Sequence, residues 1–329
     1  MVELLKNGSF IISLDFEIFW GFIDFRDRDK HWSRLRRTPD VASKLIDVFE
    51  ENEMKVTWST VGMLMLEDSD DLKRVVRDFE VPNYTDPKRN NYNTFMGLMS
   101  NPQYSDGVFF ARELVEKLKA SKYQDIGTHT FSHYYCLEKG QKNDEFQKDL
   151  SIALAVAEDN GINIESIVFP KNQYNAGTLA LLKAHGIASY RGNPDQYIYK
   201  TRPVDNLAIR AAHLLDTYWN IAGHITHTAP KAGDGLYNIK ASRFLRPVTE
   251  RNRMFKNLQL RRIKKEMTHA AKNNHYYHLW WHPHNFSGLP EENISYLREI
   301  IDHFKYLNKT YDFRSESMES FVEKVKANE

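Results

Sequence analysis

The chain has 329 residues, 41% of them hydrophobic, which is enough for one large core, and a single α/β barrel domain commonly has this length. Its 45 basic and 44 acidic residues leave a net charge of +1, so no global field draws in nucleic acid or an anionic membrane. The one cysteine, Cys136, excludes an internal disulfide framework and a cysteine-based zinc site.

The N-terminus runs into a short apolar stretch that stops at Asp15, too short for a secretory signal, and nowhere do about 18 consecutive apolar residues occur. A soluble cytoplasmic protein is the expectation. Phe10 to Leu14 has the brevity and β-branched content of a buried strand. Thr38-Pro39-Asp40 then reads as an N-cap, a first-turn proline and a first-turn acid, with Val41, Leu45, Val48 and Phe49 following at helical spacing. Further strands are expected at Lys55–Ser59, Asp125–Thr128, Ser166–Phe169, Ile187–Tyr190 and Tyr276–Trp281. Helices fall near 143–160 and through Leu179–Leu182, with Gly161 and Gly186 suited to their left-handed ends.

Strands alternating with helices imply a parallel sheet, either a barrel or a doubly wound sheet. No glycine-rich phosphate fingerprint follows the first strand, which favours the α/β barrel in one domain spanning 1–329; two small domains are the alternative. Two stretches break the rhythm, 82–107 and 191–242, and are expected to be long loops that either wall a site or form peripheral insertions.

In a parallel barrel, reactive groups gather where strands end. The first strand ends Leu14-Asp15-Phe16-Glu17, and its period of two puts both carboxylates on one face, where they can divide metal binding from base chemistry or simply be a solvated strand end. The third ends His129-Thr130-Phe131-Ser132-His133, a spacing that lets two imidazoles reach one ion if the segment turns helically. Spacing alone is weak, because 13 histidines supply roughly half such a pair by chance and a second, His278 with His282, is present. The late strand places Tyr276, His278, Trp280 and His282 on one face and stops at His282-Pro283-His284; His278, deeper in the strand, suits a hydrogen-bonded core residue. The fourth strand ends Phe169-Pro170-Lys171-Asn172-Gln173, where Lys171 can hold a catalytic carboxylate ionised, contact substrate, or do neither as an exposed lysine.

This ordered set, Ser13 to Glu17, His129 to His133, Phe169 to Gln173 and Leu279 to Pro283, resembles the polysaccharide deacetylase family with the NodB homology domain, carbohydrate esterase family 4. The resemblance implies a distorted (β/α) barrel with parallel strands and outer helices. It further implies Asp15 as catalytic base, His282 as general acid, and Glu17, His129 and His133 as ligands of a divalent metal, zinc by family habit. Lys171, Asn172, Trp280 and His284 are the implied substrate contacts, and the implied substrate is an acetylated amino sugar or polysaccharide. Two positions depart from the family: Phe16 separates an Asp from a Glu where adjacent aspartates are usual, leaving ligand and base exchangeable. Lys171 stands where an arginine is usual, which keeps the charge but loses its two-pronged geometry.

The implied activity is metal-dependent hydrolysis of an N-acetyl group; a non-catalytic carbohydrate-binding barrel, or a deacylase of another amide or ester, are the alternatives. Residues 243–265 are rich in Arg and Lys with apolar residues at helical spacing, which fits either a barrel helix with a solvated face or a peripheral membrane contact.

Overall fold

The computed structural model describes residues 5–22, 28–77, 82–98, 106–199, 207–233 and 235–327. The first apolar run forms β1 (Ser9–Phe16), buried along its whole length. There follow β2 (Val56–Thr60), β3 (Gln124–Thr128), β4 (Ser166–Ile167), β5 (Ser189–Tyr190), β6 (Ala232–Gly233), β7 (Leu236–Asn238), β8 (Arg243–Phe244), β9 (Tyr276–Trp281) and β10 (Arg314–Glu316). Pairing runs β6-β7-β5-β4-β3-β2-β1-β9-β8, with β10 on the start of β1, and every pair except β6 with β7 is parallel.

Closure comes from one stretch of chain, residues 236–245. Its first half bonds to β5 through Ile239 N to Tyr190 O and Ala241 N to Gly192 O. Its second half bonds to β9 through Ser242 N to His278 O and Leu245 N to Trp280 O. A segment paired on both sides leaves no sheet edge there, and the parallel staves curl into the distorted barrel.

Strand alternation then sorts the side chains. Ser13, Asp15, His278 and Trp280 face the interior, while Leu14, Phe16, Leu279 and Trp281 face the surrounding helices and join the main apolar core. Helix Thr38–Glu51 brings Phe49 against Trp58 and Trp281, with ring centroids 6.4 and 6.3 Å away. Each such aromatic side chain buried contributes about 1.5–3 kcal/mol.

Several expectations are corrected. Thr38 does not cap its helix: Arg37 occupies that place in helical conformation, and the Thr38 hydroxyl bonds instead to Ser287 Oγ at 3.2 Å. Residues 191–242 are no long loop, because they hold a helix (Leu207–Asp216), the β6–β7 hairpin and half of the closing stave. Residues 82–98 likewise hold a helix (Asn91–Leu98), and they pack by the ligating turn, with Tyr84 OH accepting from Tyr135 N at 2.9 Å and Asn91 Nδ2 donating to Ser132 O at 2.9 Å; residues 99–105, 200–206 and 234 of these stretches lie outside the described residues. Gly161 and Gly186 terminate their helices with φ of 67° and 76°, a region that costs glycine nothing. The basic stretch yields helix Lys256–Lys272, whose inner face, including Leu260, Ile263 and Met267, packs on the barrel. Among the described residues no helix is long and apolar enough to cross a membrane.

Candidate active site

Parallel staves all end at one rim, so side chains far apart in sequence converge there. Asp15 and Glu17 share a face as their spacing requires, but they enter different environments. Glu17 lies one residue past β1, where the chain turns sharply: Ile18 adopts φ 43° and Trp20 N bonds to Glu17 O at 2.8 Å. The turn presses Gly21 against the carboxylate so closely that a Cβ would fall 1.9 Å from Glu17 Oε1. Glycine is therefore required where backbone cradles the acid.

Across from it, residues 129–133 do not turn helically. Thr130 and His133 take left-handed φ of 65° and 59°, and buried Asp149 anchors the bend by accepting from Phe131 N at 2.7 Å, Ser132 N at 3.1 Å and the Ser132 hydroxyl. This irregular turn, rather than a helical face, aims both imidazoles at Glu17. Glu17 Oε2 lies 2.9 Å from His133 Nε2 and 3.3 Å from His129 Nε2, all three groups being buried.

Protonation sharpens the fit. His129 Nδ1 lies 2.7 Å from the Val168 carbonyl, which can only accept, so Nδ1 carries a hydrogen, and in the neutral ring Nε2 then presents a lone pair. That Nε2 is buried without a hydrogen-bond partner and faces a carboxylate oxygen, another acceptor. With that ring neutral, two acceptors are turned on each other there, an arrangement that a bound cation satisfies. Burial pushes the His133 imidazole below its ordinary pKa despite Glu17 beside it, which favours the neutral, ligating form. Burial alone would raise Glu17, yet the neighbouring His282 and His133 imidazoles hold it well below the usual carboxylate range. One carboxylate and two imidazoles, with the carboxylate oxygen 2.9 and 3.3 Å from the two ring nitrogens and so near the roughly 3.3 Å edge of a tetrahedral zinc site, suit a divalent ion that keeps an open position.

Asp15 meets a residue that the motif reading missed. Arg191, fully buried, grips it with both prongs, Nη1 to Oδ1 at 2.6 Å and Nη2 to Oδ2 at 2.8 Å. The same guanidinium donates to Ser13 Oγ at 3.1 Å and to Asn172 Oδ1 at 2.9 Å, and stacks 4.1 Å from the Trp280 ring. Burial favours the neutral acid, but Arg191 overrides it, with His282 and His129 adding to the pull, and Asp15 stays below its ordinary pKa. The residue was legible in one respect: it follows the expected strand Ile187–Tyr190 directly, at the rim.

Lys171 therefore is not the counter-ion of Asp15. It bends away in a left-handed conformation, φ 53°, and lies 3.8 Å from the Tyr135 ring and 3.9 Å from Glu138. Asn172 serves Arg191 as described. His282 presents Nε2 to both acids, 3.6 Å from Asp15 Oδ2 and 3.5 Å from Glu17 Oε1, and its Nδ1 donates to Asn285 Oδ1 at 3.2 Å. His284 is packed behind it, 3% exposed, stacked at 4.8 Å on His282 and edge-on at 4.6 Å to Phe22, so it supports the neighbouring ring instead of facing the opening. His278 is the core residue that its depth suggested, buried and bonded to Ser13 Oγ at 2.8 Å. Beside these groups opens a cavity of about 390 Å³, whose lining includes Lys171, Asn172, Phe244, Arg246 and Trp280.

No family model and no curated protein matches the chain by sequence. Solved structures do match in shape. A Mycobacterium smegmatis protein assigned to the polysaccharide deacetylases superposes at TM-score 0.60 with 14% identity, covering 99% of this chain and 93% of that one. A Pseudomonas aeruginosa protein with the same assignment gives 0.55 with 9% identity, covering 96% and 89%. At these identities the likeness establishes the fold, the distorted (β/α) barrel of polysaccharide deacetylases, and leaves the chemistry to be argued from this chain's own residues.

Proposed function

We propose that this chain is a metal-dependent hydrolase that removes an acyl group, acetyl in the first instance, from the nitrogen of an amino sugar. The observation that carries the reading is the convergence at one rim of a buried two-histidine, one-carboxylate set, a second carboxylate locked to an arginine, and a histidine facing both. A divalent ion held by Glu17, His129 and His133, zinc by the nature of the donors, supplies Lewis acidity toward an amide carbonyl and an attacking water.

The remaining work falls to this chain's side chains. Asp15, kept ionised by Arg191, accepts the proton of the attacking water. Its bidentate partner also fixes the direction of its free lone pairs. His282 delivers a proton from Nε2 to the departing sugar nitrogen, without which the tetrahedral intermediate returns to amide. Its Nδ1 bond to Asn285 sets the ring orientation for that transfer. Trp280 and Phe244, with ring centroids 4.8 Å apart, offer apolar surface to a sugar face.

The test is acetate release from N-acetylated sugars by metal-loaded protein. Release is expected from wild type and from His185→Ala, whose ring bonds to Ser151 and the Leu181 carbonyl away from the rim, and is expected to vanish in His133→Ala. Equal activity in the two variants would overturn the assignment.

A further inference from the structure

The closing stave, like β1, β3, β5 and β9, delivers a charged or ligating side chain to the rim, and here it is Arg246. Its backbone is fixed on both flanks. Leu245 N bonds to Trp280 O at 2.8 Å, Gln259 Nε2 donates to Arg246 O at 3.2 Å, and Val248 N donates to Asn293 Oδ1 at 2.7 Å. The side chain so presented lines the 390 Å³ cavity that shares Trp280 and Asn172 with the Asp15–Arg191 pair.

What distinguishes Arg246 from its cationic neighbours is that, among the described residues, no carboxylate balances it. Arg243, in the same lining, is bound by Glu266 at 2.7 Å and Asp216 at 3.1 Å. Lys171 lies against Glu138 and the Tyr135 ring. Among the described residues Arg246 has no ion pair, its Nε is buried without a hydrogen-bond partner, and no Asp or Glu lines the cavity. A solvated surface arginine needs no partner, but a guanidinium nitrogen cut off from water carries an uncompensated desolvation cost. The charge itself stands at a cavity whose described lining carries no carboxylate, and an oxyanion entering there supplies the missing counter-charge.

We infer that this cavity is a subsite for an oxyanion carried by the sugar, a phosphate ester or a uronate carboxylate, gripped by Arg246 while the ring rests on Trp280 and Phe244. The planar fork of arginine matches both anions, and Trp280 and Phe244, which line the same cavity, lie 5.7 and 6.0 Å from the His282 ring. This substrate class rests on the deacylase reading, whereas the subsite itself is a statement about binding.

Calorimetric titration of the full metal-loaded chain with already deacylated ligands separates the two. Glucosamine is compared with glucosamine 1-phosphate, glucosamine 6-phosphate and glucosaminuronate. At least one anionic sugar is expected to bind about tenfold more tightly than glucosamine, and which one identifies phosphate or carboxylate as the anion. Arg246→Ala is expected to erase that preference while leaving glucosamine affinity unchanged, and Arg261→Ala, on the outer face of helix Lys256–Lys272, to preserve it. Equal affinities for neutral and anionic sugars in wild type, no measurable binding of any, or a preference that survives Arg246→Ala would overturn the subsite. A preference that holds while no N-acetyl analogue yields acetate removes the deacylase reading alone. Acetate released equally from neutral and anionic analogues, by wild type and Arg246→Ala, removes the subsite alone.

Discussion

Two clusters of charge are buried in this barrel, and they are built to opposite ends. In one, Arg243 and Arg262 face Asp216 and Glu266, with Tyr199 OH donating to Asp216 at 2.7 Å and Tyr277 OH to Glu266 at 3.1 Å. Two cations meet two anions, and backbone amides of Ile221 and Ala222 take up Asp216 Oδ1. In the other, Glu17 faces two imidazoles that have no hydrogen to spare for it on the His129 side. Balanced charge ties helix Lys256–Lys272 to the segment beneath it. Unbalanced lone pairs, held rigid by Asp149 and Gly21, are what a ligand site requires.

The comparison breaks if the two clusters respond alike to mutation. His133→Ala is expected to abolish acetate release and to take bound zinc from one equivalent to none, at a cost of about 1–3 kcal/mol to the metal-free protein, since Glu17 Oε2 and the Tyr135 hydroxyl lose the buried ring they face. Glu266→Ala is expected to act on the fold instead, costing about 3–5 kcal/mol in chemical denaturation by stranding Arg243 and Arg262, with metal content per folded molecule intact. His282→Ala should lower turnover by about 10²–10⁴-fold with metal retained, the loss of a positioned proton donor.

A smaller effect sharpens the account of Asp15. Arg191→Lys preserves the charge and removes the fork, and turnover is expected to fall by roughly tenfold to a hundredfold with zinc content unchanged. Loss of zinc in this variant would mean that Asp15, not Glu17 alone, belongs to the ligand set.

The smallest expected effect is on acid stability. Burial pushes His278 down to about 3 and His227 down to about 4. Above pH 6.5 the unfolded chain's imidazoles are neutral as well, so nothing is lost. Below it the unfolded chain takes up protons that the fold refuses, and stability falls by up to roughly 1.4 kcal/mol per pH unit per group until the folded values are reached. Denaturant titrations at pH 7 and pH 5 should show this drop, and it should be smaller in His227→Gln.

The parts legible in the sequence are those where a short apolar run ends abruptly in polar residues. Leu14-Asp15-Phe16-Glu17 and Trp280-Trp281-His282 announce a strand, a face and a rim, because burial on both sides of a parallel sheet leaves polar groups nowhere else to go. The spacing of His129 and His133 was readable while their geometry was not: the left-handed turns depend on Asp149, sixteen residues past His133 and on another element. Arg191 escaped notice because β5 has only two residues and contributes no pattern of its own. The closing stave was hidden for a similar reason, since Leu236–Asn238 and Arg243–Phe244 are each too short to alternate visibly, and their pairing partners are supplied by distant chain.

The central claim is that Glu17, His129 and His133 hold the ion on which deacylation depends. Its most direct test is a zinc titration of chelator-stripped protein, followed by acetate release from N-acetylated sugar. Activity should rise in proportion to added zinc, level off at one equivalent, and never appear in His133→Ala. Full activity in the stripped protein, or the same titration curve in His133→Ala, would contradict it.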